Sequence, residues 1–451
     1  MVELQSIFKK AYWTLAAGGL IYVLFVCSLT WPEVQRLYVF LLTSAAVANL
    51  EQCTLRQQGQ PQSLAGCESS RTIRFPEYVP INYIQLFALI PPESQVQPFH
   101  LVTPDNETLY GWHLMPLHLC HEHEQDLIDN PPDGPAKDYT QTVAYKSLAN
   151  DPNARVVVSF HGNAAHLGSA QRPATYNAML SLSTPSNPVH VFAIDYRGFG
   201  VSTGSPTEEG LITDGVSLIN FLTAGPLEVP TSRIVIMGQS LGTAVTAAVV
   251  ERYTFGSPNP TAIQPAIKNP EPFAGVILVA SFSNVRNVIE SYSIKGLTPP
   301  MLSPLIGYPR FQNWVMSHIV DRWETGVRLA RLTGVNVTSL DGSEVDHSHK
   351  DLDLTIIHSS NDIEIPWYEG RRNWAAATGE GIKGAPGALA YERTDVGKPV
   401  GEVKIWVNKI TGDDGSTALK KVRWERVRYG GHDRVATFSV AGLAALRAFE
   451  E

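Results

Sequence analysis

Residues 233–253 read RIVIMGQSLGTAVTAAVVERY, and the fold follows from how this stretch divides. Arg233–Met237 is a short apolar run rich in β-branched residues, the pattern of a strand buried on both faces. LGTAVTAAVVERY, from Leu241, is a helical run. Between them lies Gly238-Gln239-Ser240-Leu241-Gly242, a G-x-S-x-G pattern. In so tight a turn the flanking positions tolerate little beyond glycine. The serine is presented at the head of a helix, where backbone N–H groups and the helix dipole favour a developing negative charge. The competing reading is a Gly-rich turn with a chance serine.

Working outward, the same alternation recurs. Arg155–Phe160, His190–Ile194, Gly275–Ala280 and Leu354–His358 are further apolar strands, each ending in a polar or Gly-rich loop before a helical segment. Such strands alternating with helices predict an α/β domain with a parallel sheet covered on both faces. Ser205-Pro206-Thr207-Glu208 has the form of a capping box with proline at the first helical position, opening a helix to about Leu222. Asp433–Glu451 is a closing helix, with Val435, Phe438, Leu443 and Leu446 as candidate buried positions. Three stretches interrupt the pattern. They are a polar, Pro-rich surface loop at Thr254–Pro272, an apolar insert at Ser291–Glu324, and a Gly-rich excursion at Thr378–Lys421 with a hairpin around Val403–Val407.

A serine is a weak nucleophile without a base. His432 follows an apparent strand, Val422–Val427, and precedes the last helix; no other histidine follows His358. A base needs an acid to fix its tautomer and stabilise its charged form. Asp362 follows the strand LTIIH, at the carboxyl end where open α/β sheets place their sites. Glu364 is its competitor, and Asp353 precedes the strand and belongs at the wrong end. The backbone N–H groups of Asn163, in the loop after strand RVVVSF, and of Leu241 are candidate oxyanion donors. His161 reads as structural. His121 and His123 lack a partner group at metal-binding spacing and read as solvated loop residues, so no metal site is expected.

The N-terminus sets a separate expectation. Residues 11–32, AYWTLAAGGLIYVLFVCSLTWP, carry no charge and end in aromatic residues. At about 1.5 Å per residue this run reaches roughly 33 Å, enough to cross a hydrocarbon core of about 30 Å. A cleaved signal peptide is the rival, with a shorter apolar core and a prompt small-residue cleavage site. The expected organisation is therefore a tail at 1–10, a transmembrane anchor at 11–32, a membrane-proximal linker at 33–90 and the α/β domain at 91–451. Lys9 and Lys10 against Arg36 bias the N-terminus to the cytosol and the main domain to the lumen. Sequons at Asn106 and Asn336 point to the same side. Four cysteines are too few for a disulfide scaffold, and Cys53–Cys67 is the one candidate pair, set against all four being free. A net charge of −8 without a basic block disfavours a nucleic-acid partner.

Taken together, HGNAAH at His161–His166, the long run from Asp195 to Gly210 (DYRGFGVSTGSPTEEG), GQSLGT at Gly238–Thr243 and the Asp362 and His432 loops resemble the membrane-anchored α/β-hydrolase-domain lysophospholipases, in particular the lysophosphatidylserine and monoacylglycerol lipase branch. The resemblance covers roughly residues 90–450. It implies an α/β-hydrolase fold with an eight-stranded, mostly parallel sheet. It also implies cofactor-free hydrolysis of lysophospholipid or monoacylglycerol esters at the endoplasmic-reticulum membrane. The family's nucleophile, acid and base fall on Ser240, Asp362 and His432. The chain departs from the pattern in its long Gly-rich excursion and in the extended linker carrying Asn336. A cap insertion at about 285–330 is expected to offer Met301, Leu302, Leu305, Ile306, Phe311 and Trp314 to an acyl chain, against ordinary packing of a small helical insert. An acyl-protein thioesterase with the same three residues, and a non-catalytic scaffold of the same fold, are the rival functions.

Overall fold

The computed structural model describes residues 17–20, 22–24, 27–28, 31–32 and 95–450, apart from 133, 170, 258, 260, 292–302, 336–349, 383–384, 412–414 and 416. Its centre is one sheet. In chain order the strands are β1 (Val96–Val102), β2 (Thr108–Leu114), β3 (Arg155–Phe160), β4 (Val189–Ile194), β5 (Ile234–Gln239), β6 (Gly275–Val279), β7 (Leu352–Ser359), β8 (Ala388–Asp395), β9 (Gly401–Thr411) and β10 (Thr417–Val427). Their spatial order is β1-β2-β4-β3-β5-β6-β7-β10-β9-β8. The run from β4 through β3, β5, β6 and β7 to β10 is parallel throughout. Antiparallel strands extend it at both ends.

The period-two geometry of the strands divides the core into two layers. Val156, Val158 and Phe160 of β3 and Ile234 and Ile236 of β5 point to one face. Val157, Val235 and Met237 point to the other. The first face is covered by α2 (Glu208–Thr223), α3 (Leu241–Phe255), α5 (Thr325–Thr333) and α6 (Trp367–Thr378). The second is covered by α1 (Arg172–Leu180) and α7 (Ser439–Glu450). The remaining helix used below is α4 (Pro309–Ser317).

Several expectations are corrected. The sheet has ten strands and is mixed, rather than eight and mostly parallel. The Gly-rich excursion folds into β8 and β9, which extend the sheet beyond β10. The cap of α2 is Thr207, whose hydroxyl accepts from Gly210 N at 3.0 Å, not Ser205. In the closing segment Val435 is buried, but Phe438 and Leu443 are exposed. The buried face of α7 is Ala441, Ala444, Ala445 and Ala448. Close helix–sheet approach is the reason: a Cβ on Gly275 of β6 would lie 2.5 Å from Ala448 Cβ.

The transmembrane helix expected at 11–32 is also corrected. Among the described residues no helix is long and apolar enough to cross a membrane. Tyr22, within that stretch, packs against a small cluster made by Leu305, Val315 and Met316. With the helix go the expectations resting on it: membrane-bound, single-pass, at the endoplasmic reticulum with a lumenal catalytic domain, and partnered by the bilayer. Cys53, Cys67, Asn336, Met301 and Leu302 lie outside the described residues.

Candidate active site

The serine turn is built by close backbone approach. A Cβ on Gly238 would lie 2.2 Å from Gly242 O, and a Cβ on Gly242 would lie 2.0 Å from Phe160 O. No side chain fits at either position, so both glycines of G-x-S-x-G have a steric cause. Between them Ser240 is held at φ 53° and ψ −120°, a left-handed region that a Cβ-bearing residue occupies only under constraint. Its N–H donates to Val279 O at 3.0 Å, tying the turn to β6. Ser240 is thus the N-cap residue of α3, and Leu241 is its first helical residue. The Leu241 N–H therefore has no intrahelical acceptor.

The acid and base come from the carboxyl ends of β7 and β10, which are parallel neighbours. Asp362 Oδ1 accepts from the backbone N–H of Glu364 and of Ile365, each at 2.9 Å. Its Oδ2 lies 2.9 Å from His432 Nδ1. The carboxyl group is buried, which on its own would favour the neutral form. The neighbouring imidazoles of His432 and His358 outweigh that and hold it well below the usual carboxylate range. Burial likewise opposes charge on His432, and the Asp362 carboxylate overrides it, raising the imidazole above its ordinary value. The base loop is tied to the acid loop, since Gly431 N donates to Asn361 Oδ1 at 3.0 Å and to Ser359 Oγ at 3.2 Å. Gly431 sits at φ 59°, where glycine carries no Cβ penalty.

These elements converge at the carboxyl ends of the parallel strands. Gln239, the residue before Ser240, donates from Nε2 to His432 O at 3.1 Å. Among the described residues no hydrogen bond joins the Ser240 hydroxyl to the His432 ring; such bonds commonly tighten only when substrate is bound. Glu364 reaches the other ring nitrogen, its Oε2 lying 4.0 Å from His432 Nε2. The position that orients the base is therefore filled by Asp362. Asp353 lies near the opposite end of β7, 4.0 Å from Lys421 Nζ.

Asn163 lies in the loop after β3, one residue beyond the point where that loop meets the serine. A Cβ on neighbouring Gly162 would stand 3.2 Å from Ser240 Cβ. His161 is buried, with Nδ1 2.7 Å from Gly162 O. Of the cap residues, Leu305 is buried and Phe311 half-buried, both within the cluster that holds Val315 and Met316. Trp314 stacks on Phe311 at 5.7 Å and remains exposed, as does Ile306. Ordinary packing of the insert accounts for Leu305. Asn106 is exposed in the turn between β1 and β2, at φ 70°.

Two residues that the sequence reading did not assign stand behind the site. His358, buried at the end of β7, lies 3.3 Å from Asp362 Oδ2 and 2.9 Å from Ile365 O through Nε2. Its signal was available, as a histidine closing an apolar strand four residues before the acid. Arg172, at the start of α1, donates to Gly162 O, Asn163 O, Ala164 O and His166 O. Nothing in its local sequence marks that role.

Residues 156–432 match the Alpha/beta hydrolase family, which is more than half of the chain. The chain belongs to the alpha/beta hydrolase family. Among named relatives, the Lysophosphatidylserine lipase ABHD12 of Mus musculus is 26% identical over 220 residues, covering 49% of this chain and 44% of that protein. That of Gallus gallus is 26% identical over 243 residues, covering 54% of this chain and 52% of the other. The Homo sapiens Protein ABHD12B is 38% identical over 101 residues, 22% of this chain and 25% of that protein. The chain spans about half the length of the first two relatives. Among solved structures, the Pyrococcus furiosus esterase Pf2001 overlaps 83% of this chain and 95% of its own, at 12% identity and a TM-score of 0.40. Est1E from Butyrivibrio proteoclasticus, with ferulic acid bound, overlaps 78% of this chain and 100% of its own, at 10% identity and a TM-score of 0.41. The family match and the sequence relatives support a serine hydrolase and specify no substrate.

Proposed function

We propose that this alpha/beta hydrolase cleaves carboxylic esters of acyl lipids, of the lysophospholipid or monoacylglycerol type, through an acyl-serine intermediate. The observation that carries the reading is the 2.9 Å contact of His432 Nδ1 with Asp362 Oδ2, beside a serine held at positive φ on the glycine-flanked turn. The named lipid-lipase relatives supply the substrate class.

In this reading His432 Nε2 takes the Ser240 proton as Oγ attacks the ester carbonyl carbon. The N–H groups of Asn163 and Leu241 hold the oxyanion. The carbon–oxygen bond to the alcohol then breaks, and His432 returns the proton to the leaving alkoxide. Water repeats the sequence on the acyl-serine, its proton passing to His432 and then back to Ser240 as the fatty acid leaves. Asp362 stays ionised throughout, fixing the ring with Nδ1 protonated and Nε2 available.

The test is hydrolysis of monoacylglycerol and lysophospholipid esters across a range of acyl lengths, by wild type and Ser240→Ala. The reading expects long-chain esters to be cleaved and the activity to fall by at least about 10³-fold in the variant. Cleavage confined to short water-soluble esters removes the substrate class. Equal activity in the variant removes the serine.

A further inference from the structure

The loop after β3, HGNAAH, does not hold its shape by its own hydrogen bonds alone. Ala164 lies at φ 61° and Ala165 at φ 58°, two successive alanines in the left-handed region. A side chain disfavours that conformation, and alanine offers no polar group to offset it locally. Tyr196 Oη and Asp195 Oδ1 tie the two ends of the segment, at His161 O and Leu167 N, and the carbonyls between them are gathered by Arg172. Its Nη2 donates to Gly162 O at 3.0 Å, Asn163 O at 3.2 Å and Ala164 O at 2.6 Å, and its Nη1 to His166 O at 2.7 Å. One guanidinium thus gathers four carbonyls from five consecutive residues. Among the described residues no carboxylate lies within ion-pair distance of it; those of Asp195 and Asp433 favour its charge from farther off, and its direct partners are the loop's carbonyl dipoles.

The peptide unit that matters is Gly162–Asn163. Its carbonyl is the Gly162 oxygen, which accepts from Arg172 Nη2 at 3.0 Å and also stands 2.7 Å from His161 Nδ1, and its N–H is the proposed oxyanion donor of Asn163. A cation on the carbonyl end draws electron density through the amide and makes the N–H at the other end a stronger donor. It also fixes the plane of the unit, and so the direction of that N–H, before substrate arrives.

We propose that Arg172 is the positioning residue of the oxyanion loop, orienting and polarising the Asn163 N–H through the Gly162 carbonyl. This rests on the ester-hydrolase reading above, with Ser240 as nucleophile. Arg172 donates to loop carbonyls and not to Ser240, Asp362 or His432, so its action on the transition state runs through the Asn163 N–H.

The test compares wild type with Arg172→Lys, which keeps charge without the planar fork, and Arg172→Gln, which keeps donors without charge. Active sites are counted by the end point of fluorophosphonate labelling, so that unfolded protein does not enter the rates. In Arg172→Gln, kcat per site should fall by about 10- to 100-fold with KM within about threefold. Arg172→Lys should lie between it and wild type. Affinity for an alkyl boronic acid, which forms a tetrahedral adduct on the serine, should fall by the same factor as kcat/KM, while inhibition by product fatty acid should not change. If Arg172→Gln does not fold, it is made on Ala164→Gly/Ala165→Gly, where the left-handed loop carries no Cβ penalty; the loss in kcat per site should persist there. A per-site kcat and boronate affinity within about twofold of wild type, alongside a lowered melting temperature, would show Arg172 to be a structural staple and overturn the proposal. Failure of the hydrolase reading looks different, since wild type would then not label, or Ser240→Ala would label equally.

Discussion

Glu364 Oε2 stands 4.0 Å from His432 Nε2, on the side of the ring where the leaving group would depart. Asp362 occupies the opposite side, at Nδ1. Both carboxylates favour the charged imidazole. His432 acts as a base only when neutral, so activity falls as pH drops through its raised value. Removing a carboxylate lowers that value. Glu364→Gln should therefore move the acid limb of kcat/KM to lower pH, by a small step because Glu364 is about half exposed and screened by water. A pH–rate profile checks the sign, and an upward movement would contradict it.

Asp362→Asn should behave differently. It removes the group that orients the ring as well as its charge, and the amide offers an N–H where an acceptor is needed. We expect kcat to fall by about 10⁴-fold with little change in KM. Steady-state kinetics on a folded variant, verified by circular dichroism, decides this. A loss no greater than that of Glu364→Gln would reassign the acid.

The serine turn predicts opposite signs at two positions of the same turn. Ser240→Gly relieves a Cβ-bearing residue at φ 53° and should raise stability by about 1 kcal/mol while abolishing activity. Gly242→Ala brings a Cβ to 2.0 Å from the Phe160 carbonyl, a backbone atom that cannot move aside cheaply. It should destabilise by about 3 kcal/mol or more. Urea titrations of the two variants measure both effects.

How much of this was legible beforehand differs by element. The parallel strands and the serine turn were legible because each is dictated locally, by runs such as RIVIM followed by glycine and by a change of period. Asp362 and His432 could be nominated because each follows a recognisable strand, and their side chains meet at 2.9 Å. The β8–β9 extension was read as a hairpin around Val403–Val407, which is instead the interior of β9, since β8 is exposed along nearly its whole length and carries little apolar pattern to place the turn. The buried face of α7 was misread because large apolar residues were expected inward, whereas close approach to Gly275 leaves room at its centre for small residues, Ala441, Gly442, Ala444, Ala445 and Ala448. Arg172 left no trace in sequence, because its partners are backbone carbonyls, which every residue has.

A buried histidine chain predicts a loss of stability in acid. Tyr139 Oη lies 2.7 Å from His113 Nδ1, and His113 Nε2 lies 2.9 Å from His190 Nδ1. Burial, with the neighbouring imidazoles, pushes His113 well below its usual value and His190 down to about 3. Both are neutral in the folded protein, while in the unfolded chain they take up protons below about pH 6.5. The unfolded state then binds more protons, so stability falls as pH drops, by roughly 1.4 kcal/mol per pH unit for each group. For His190 this continues down to about pH 3. Denaturant titrations at pH 7.5 and pH 5 should show the loss, and His113→Leu/His190→Leu should flatten it. An unchanged slope in that double variant would place the acid sensitivity elsewhere.

The central claim is that Ser240 is the activated nucleophile, and covalent mapping tests it most directly. The full chain is treated with an alkyl fluorophosphonate, digested, and its peptides are sequenced by mass spectrometry. The account predicts one phosphonyl group on the peptide containing Gly238-Gln239-Ser240-Leu241-Gly242, localised to Ser240 and strongly reduced in His432→Ala. An adduct on another residue, or no adduct on folded protein at pH 8, would contradict it.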